Sequence, residues 1–342
     1  MASLSLADWD LLLRQARRAN LLARLYGLAE EFGLLDSMRA QAREHLQWSR
    51  FIPERHAQAV NWEVTLIRKA LATVGEPVVL LKGAAYVMAK LPPSKGRLFA
   101  DIDILVPKGS LDAVEAALML HGWAGTLEDQ YDQHYYRTWM HELPPMQHMQ
   151  RLTVIDVHHA ILPETASSHP DTAKLLAAAI PVDGHDDLKV LAPTDMVLHS
   201  AAHLFHEGEL EQGLRDLVDL DSLLRHFGGT PDFWQDLVLR ARALELTRPL
   251  FYATRYCSQF LQTPIPASAM EGISVYGPAA LTLALMDKLY SRALMPNHAS
   301  CSDRLTGPAR HALYIRANWL RMPPLLLAKH LFHKAFISPR KK

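Results

Sequence analysis

The sequence predicts an α+β protein: a small mixed β-sheet core flanked by an N-terminal helical region and a larger C-terminal helical domain. Three observations lead there. Strand-like runs concentrate between residues 77 and 165, whereas helical apolar spacing fills residues 4–75 and returns from Thr194 onward. The 342 residues leave room for about two or three domains with ample core. An apolar content of 49% with 21% charged residues is that of a folded globular chain and excludes a disordered one. The expected divisions are a helical region over 1–76, an α/β core over 77–165, a helical domain over 190–300 and a basic amphipathic tail over 304–342.

The core opens with PVVLLKGAAYVMAKLPPSKGRLFADIDILV, residues 77–106. Val78 to Leu81 is a continuous apolar run suited to a buried strand, and it stops at Lys82-Gly83. Ala84 to Lys90 is good helix material. Strand, glycine and helix start in that order make a phosphate-binding arrangement, because free backbone N–H groups and the helix dipole favour an anion. Lys82 and Arg97 are placed to add charged donors. In the second strand Leu98, Ala100, Ile102, Ile104 and Val106 share one apolar face, while Arg97, Phe99, Asp101, Asp103 and Leu105 share the other. Asp101 and Asp103 therefore point the same way, about 6–7 Å apart along the strand. Two such carboxylates repel unless a cation lies between them, and Mg²⁺ takes carboxylate oxygens while keeping sites for substrate phosphates.

These residues resemble the uncharacterised nucleotidyltransferases of the polymerase-β-like superfamily, of which kanamycin nucleotidyltransferase is a distant relative. Lys82-Gly83-Ala84 matches the family's glycine turn and Asp101 with Asp103 its acid pair; the resemblance spans most of residues 1–225. The wider superfamily has Gly-Ser at the turn, where this chain has Gly83-Ala84, which lacks the hydroxyl that helps hold a phosphate. The resemblance implies a third acid on a neighbouring strand, and Asp156 in Leu152–His159 matches it. Val154, Asp156 and His158 share a strand face, and an acid in so apolar a setting is costly unless its charge is compensated. The implied catalytic and metal-binding set is Asp101, Asp103 and Asp156 with Mg²⁺ or Mn²⁺, Asp156 also acting as general base. The implied substrates are an NTP, ATP expected, and an unknown acceptor.

The remaining segments are read in chain order. Residues 4–75 form helices, with Gly33 ending one, Pro53 breaking or starting another and Gly75-Glu76-Pro77 stopping the last. Their arginines are balanced by acids, and the net charge of zero speaks against a nucleic-acid partner. Pro107–Ser110 is a turn with Ser110 capping the helix Leu111–His121, which Gly122 ends. Tyr131–His141 is aromatic and alternating, hence a strand, paired antiparallel with Gln150–His158 across Pro144-Pro145. Of His158 and His159, one is expected as a satisfied strand histidine and the other at the surface. Prolines and polar residues over 163–193 mark a passage between domains, and Thr194-Asp195 caps the next helix. His199, His203 and His206 share a face of that helix, without the H-E-x-x-H pattern of zinc proteases, and are read as packing residues. In Gly213–Asp221, Arg215 and Asp219 are an i, i+4 pair: either a salt-bridged helix surface, or a helix lining the cleft opposite the sheet with Arg215 reaching a phosphate and Asp216 or Asp219 the acceptor, the account that the resemblance favours for Arg215 and Asp219.

From Arg304 onward there are nine basic residues and no acid, mixed with large apolar ones such as Trp319 and Leu325. The pattern suits internal docking against the acidic remainder of the chain, or a peripheral membrane contact. Two cysteines, no signal pattern and no apolar run near the roughly 20 residues of a membrane helix lead to the expectation of a cytoplasmic protein. The expected activity is metal-dependent transfer of an NMP to a hydroxyl or amine, with release of pyrophosphate. The alternative is a catalytically silent nucleotide-binding or partner-binding module of the same fold.

Overall fold

The computed structural model describes residues 4–329, apart from Glu128 and Glu207. Four helices open it: α1 (Leu6–Arg18), α2 (Leu22–Glu31), α3 (Ala40–Ser49) and α4 (Phe51–Leu71). Ser5 starts the first through a reciprocal cap with Asp8, and Gly33 follows the second at a φ of +62°, where glycine carries no Cβ penalty. Trp9, Tyr26 and Leu46 bury one another in a small core of their own. In α4, Val60, Val64, Ile67 and Leu71 make one buried stripe that belongs instead to the main core. Pro53 falls in the first turn of α4, where a missing N–H costs no helical bond.

One sheet of seven strands follows: β1 (Val78–Leu80), β2 (Asp101–Leu105), β3 (Trp123–Gly125), β4 (Met146–His148), β5 (Val154–His158), β6 (Ile180–Val182) and β7 (His185–Val190). Their order is β3-β4-β5-β2-β1-β7-β6. The pairs β2–β5 and β1–β7 are parallel and the rest antiparallel, so the sheet is mixed. Helix α5 (Lys82–Met88) follows β1 and α6 (Leu111–Leu120) follows β2; both pack on α4. Ser110 does occupy the N-cap position of α6, but its side chain makes no capping bond there.

Several expectations are corrected. The β2 strand spans five residues, not ten, because Gly96 turns the chain at a φ of +74° and residues 97–100 lead away from the ladder. Tyr131–His141 is not a strand: helix α7 (Gln130–Trp139) occupies it. Asp129 caps that helix by accepting from the Tyr131 N–H, Tyr135 meets Trp139 one turn on, and Arg137 makes a two-pronged pair with Glu115 of α6. Aromatic residues at i and i+4 outweighed their strand preference here. The antiparallel partner of β5 is β4, which follows Pro144-Pro145. Nor is 163–193 only a passage: it supplies helix α8 (Thr172–Ala178) and the strands β6 and β7.

The C-terminal half is helical: α9 (Pro193–His206), α10 (Gly213–Phe227), α11 (Phe233–Ala243), α12 (Thr247–Leu261), α13 (Ala267–Ser274), α14 (Ala280–Ala293) and α15 (Thr306–Arg321). Thr194 and Asp195 lie inside the first turn of α9, and Asp195, fully buried, pairs with Arg240 of α11 at 2.6 Å instead of capping. The described part of the basic tail docks on the body. Arg316 donates to the Phe205 carbonyl at 2.9 Å and lies over the Tyr252 ring, and Arg310 donates to the Met295 carbonyl. Leu331, Phe332, Lys334, Phe336, Arg340, Lys341 and Lys342 lie outside the described residues. Among the described residues no helix is long and apolar enough to cross a membrane.

Arg24 braces the halves, donating to the Pro92 carbonyl at 2.8 Å and to Ser222 of α10 at 2.7 Å. Gly96 lies against this brace; a Cβ there would come within 2.6 Å of the Arg24 backbone nitrogen. Gly96→Ala should therefore destabilise the protein by about 2 kcal/mol or more, through backbone strain and collision together. Gly109→Ala, with open space around it, should stay within about 0.5 kcal/mol. Urea denaturation of both variants compares them directly.

Candidate functional site

The site is built on the parallel pairing of β2 with β5. Asp103 stands directly opposite Asp156 and Asp101 opposite Val154. Partners in neighbouring strands share a face about 4.8 Å apart, so this register brings the three carboxylates together. Asp101 is half-buried; burial first, then the Asp103 charge, raises its pKa. Asp103 is 5% exposed. Burial opposes its charge, but Lys82 Nζ at 3.4 Å and His158 Nε2–H at 2.9 Å outweigh it and hold the carboxyl well below the usual range. Asp156 has no such partner. Burial, then the charges of Asp103, Glu142 and Asp101, push it up to about 7, and its Oδ1 is sealed from solvent without a hydrogen bond.

A cleft of about 730 Å³, counted to its open mouth, lies before Asp101 and Asp103. Lys82 and Gly83 border it from the β1–α5 turn, His203 from α9, and Arg215, Asp216 and Asp219 from α10. Lys82 adopts a φ of +41°, a left-handed backbone that a non-glycine residue holds only under constraint. Gly83 is required by packing: a Cβ would meet the Phe99 ring at 2.7 Å and Arg97 Nη1 at 2.8 Å. Ala84 faces the core, 1% exposed, and is not among the residues that border the cleft.

Arg97 is committed to the opposite wall. Its Nε lies 2.7 Å from Asp219 Oδ2, Asp216 is 3.8 Å away, and its guanidinium stands over the Tyr86 and Phe99 rings. The expected Arg215–Asp219 pair does not form; Arg215 bonds Asp216 at 2.8 Å while Asp219 turns to the sheet side. Burial pushes Asp219 up to about 6 against the opposing charge of Arg97. Tyr86, fully buried, meets Ser200 of α9 at 2.6 Å.

The histidines divide. His199 is buried and its pKa lies well below the ordinary value, from burial first and then Lys82. His206 contacts the Ala202 carbonyl within its own helix. His203 borders the cleft and its charge favours ionised Asp103. Both His158 and His159 are buried, so the expectation of one at the surface is corrected. Sequence reasoning also missed His141 and Glu142. The Glu142 backbone bridges to His158, and Oε2 of Glu142 lies 3.3 Å from His158 Nδ1. The segment 141–143 follows a misread helix and has no motif of its own.

Three acids on one sheet face, with a sealed and unpartnered Asp156 Oδ1, fit a hard divalent cation. The family model described as "Uncharacterised nucleotidyltransferase" matches residues 5–262, which include every element bordering the cleft. No curated protein matches the chain.

Asp219, with its pKa pushed up to about 6, makes stability depend on pH. Between about pH 4 and 6 the folded chain retains a proton there that the unfolded chain has released, so stability falls as pH rises through that window. The unmodified protein should lose about 1–3 kcal/mol relative to Asp219→Asn over this interval. Urea titrations at each pH measure it, and parallel pH profiles would contradict it.

Proposed function

The chain belongs to the uncharacterised nucleotidyltransferase family, matched over residues 5–262, and on that premise we propose that it moves an NMP from an NTP, ATP expected, to a hydroxyl or amine of an acceptor molecule. The observation that carries the reading is the β2–β5 register, which aligns Asp103 with Asp156 and keeps Asp101 on the same face. In the reaction, the acceptor lone pair forms a bond to the α-phosphorus. The bond from that phosphorus to the bridging oxygen breaks, and its electron pair leaves with pyrophosphate. The acceptor proton passes to the Asp156 carboxylate, which without a cation is pushed up to about 7 by burial and the neighbouring acids.

Mg²⁺ or Mn²⁺ held by Asp101, Asp103 and Asp156 would neutralise charge on the phosphates and keep Asp156 ionised. The chain's own groups then orient the substrate. Lys82, one-fifth exposed, and Arg215 meet phosphate oxygens with charged donors. Gly83, on the cleft wall, offers backbone only, and Ala84 lies behind it in the core. Arg97 and Asp219 hold the two walls of the nucleotide cleft in register, Asp219 presenting an acceptor to the ligand. The buried methyl of Ala84, where the wider superfamily is expected to place a hydroxyl, favours a second reading: nucleotide binding without turnover.

Asp101→Asn and Asp156→Asn should each reduce pyrophosphate release from a labelled NTP by about a hundredfold or more, with little change in Tm. Lys82→Ala should act mainly on KM. A thermal-shift panel of Mg²⁺–NTPs selects the nucleotide, and mass spectrometry of candidate acceptors detects the added NMP. Undiminished pyrophosphate release in Asp101→Asn would defeat the assignment, and binding without release across the acceptor panel would establish the second reading.

A further inference from the structure

Behind the aspartates lies a second cluster that nucleotide transfer does not use. The segment 141–143 runs beside β5: His159 N–H donates to the His141 carbonyl at 2.8 Å, Leu143 N–H donates to the Val157 carbonyl at 2.9 Å, and Glu142 bridges to His158. This backbone pairing presents His141, Glu142 and His158 to one another. One ring nitrogen of each histidine and one Glu142 oxygen all lie within 4.8 Å of each other. The His141 and His158 rings are 5.3 Å apart.

Hydrogen bonding fixes what these atoms can do. An ionised carboxylate only accepts, so the 2.9 Å contact with Asp103 places a proton on His158 Nε2. That leaves Nδ1 as the inward-facing nitrogen of a side chain 3% exposed. It has no hydrogen-bond partner, although Glu142 Oε2 is only 3.3 Å away. His141 Nδ1 is likewise sealed from solvent and unpartnered, as is Asp156 Oδ1 on the same strand face as His158. Two buried histidine nitrogens beside a carboxylate oxygen, neither of them hydrogen-bonded, are unfavourable unless a proton or a metal cation joins them.

We propose that His141, Glu142 and His158 form a binding site for a transition-metal dication of the zinc class, separate from the three-aspartate site. Two imidazoles and a carboxylate suit Zn²⁺, Fe²⁺ or Mn²⁺, whereas Mg²⁺ and Ca²⁺ prefer oxygen alone. Asp103 accepting from the far nitrogen of His158 is the outer partner that metal-bound histidines ordinarily have, fixing tautomer and ring orientation. The same aspartate faces the cleft, so an ion at the histidines would relieve negative charge within the acidic cluster. The proposal does not depend on nucleotide transfer, and its readout is metal binding.

The test uses the untagged full chain, stripped with a chelator and titrated with Zn²⁺ against a chromophoric competitor. With excess Mg²⁺ present to occupy the three aspartates, one equivalent should bind, and Co²⁺ in its place should give visible d–d bands. His141→Ala and Glu142→Gln should each weaken Zn²⁺ binding at least about tenfold, with circular dichroism confirming the fold. Asp101→Asn, outside the ligand set, should retain binding. If His141→Ala does not fold, Glu142→Gln and the Co²⁺ spectrum of the unmodified chain decide the matter. No stoichiometric binding would overturn the proposal. So would binding indifferent to both substitutions but lost in His203→Ala, which would move the ion to the helical histidines.

Discussion

Parallel pairing of two short strands puts like charges next to one another, and much of the surrounding structure answers that. With Asp103 beside Asp156 and Asp101 two residues along, the middle of the sheet carries three acids in a half-buried setting. Burial opposes ionisation of each, and their mutual repulsion adds to it. The compensation is uneven. Asp103 draws in Lys82 and His158, whereas Asp156 keeps a sealed oxygen without a partner. The two carboxylates therefore differ: burial and neighbouring acids raise the pKa of Asp156, while Lys82 and His158 hold that of Asp103 low.

The helical half completes the cleft through ties that cross long stretches of chain. Arg97 leaves the loop before β2 and meets Asp219 of α10, so the wall facing the acids is pinned by a nearly buried ion pair. Such a pair contributes little net stability once desolvation is counted, but it fixes geometry, since either charge left alone would be costly. Arg24 repeats the arrangement from the N-terminal helices, joining the Pro92 carbonyl to Ser222. Gly83 belongs to the same construction. Its missing Cβ lets Phe99 and Arg97 close over the turn, a reason for glycine that differs from the phosphate approach expected of the motif.

Two errors in reading the sequence have clear physical origins. Tyr131–Trp139 is rich in aromatic residues, which favour strands on average, but a cap at Asp129 and ring contacts one turn apart made a helix. The prolines near residues 163–193 looked like a linker, yet Pro181 lies in β6, at the sheet edge, where a missing N–H breaks no central ladder. In both cases an average preference of residue type gave way to local partners.

Residue order alone determined the mixed α/β character, the helical stripes, the strand–turn–helix after Val78 and the shared face of Asp101 and Asp103. Each of these follows from periodicity within a few residues, which backbone geometry fixes regardless of what lies opposite. Only the tertiary structure decided that Asp156 stands against Asp103, that His158 satisfies Asp103, that Arg97 answers Asp219 in place of Arg215, and that His141 and Glu142 come beside His158. Those partners lie some 16 to 122 residues apart in the chain. Their meeting depends on strand order and helix docking, set by burial of the whole core, and no local pattern encodes it.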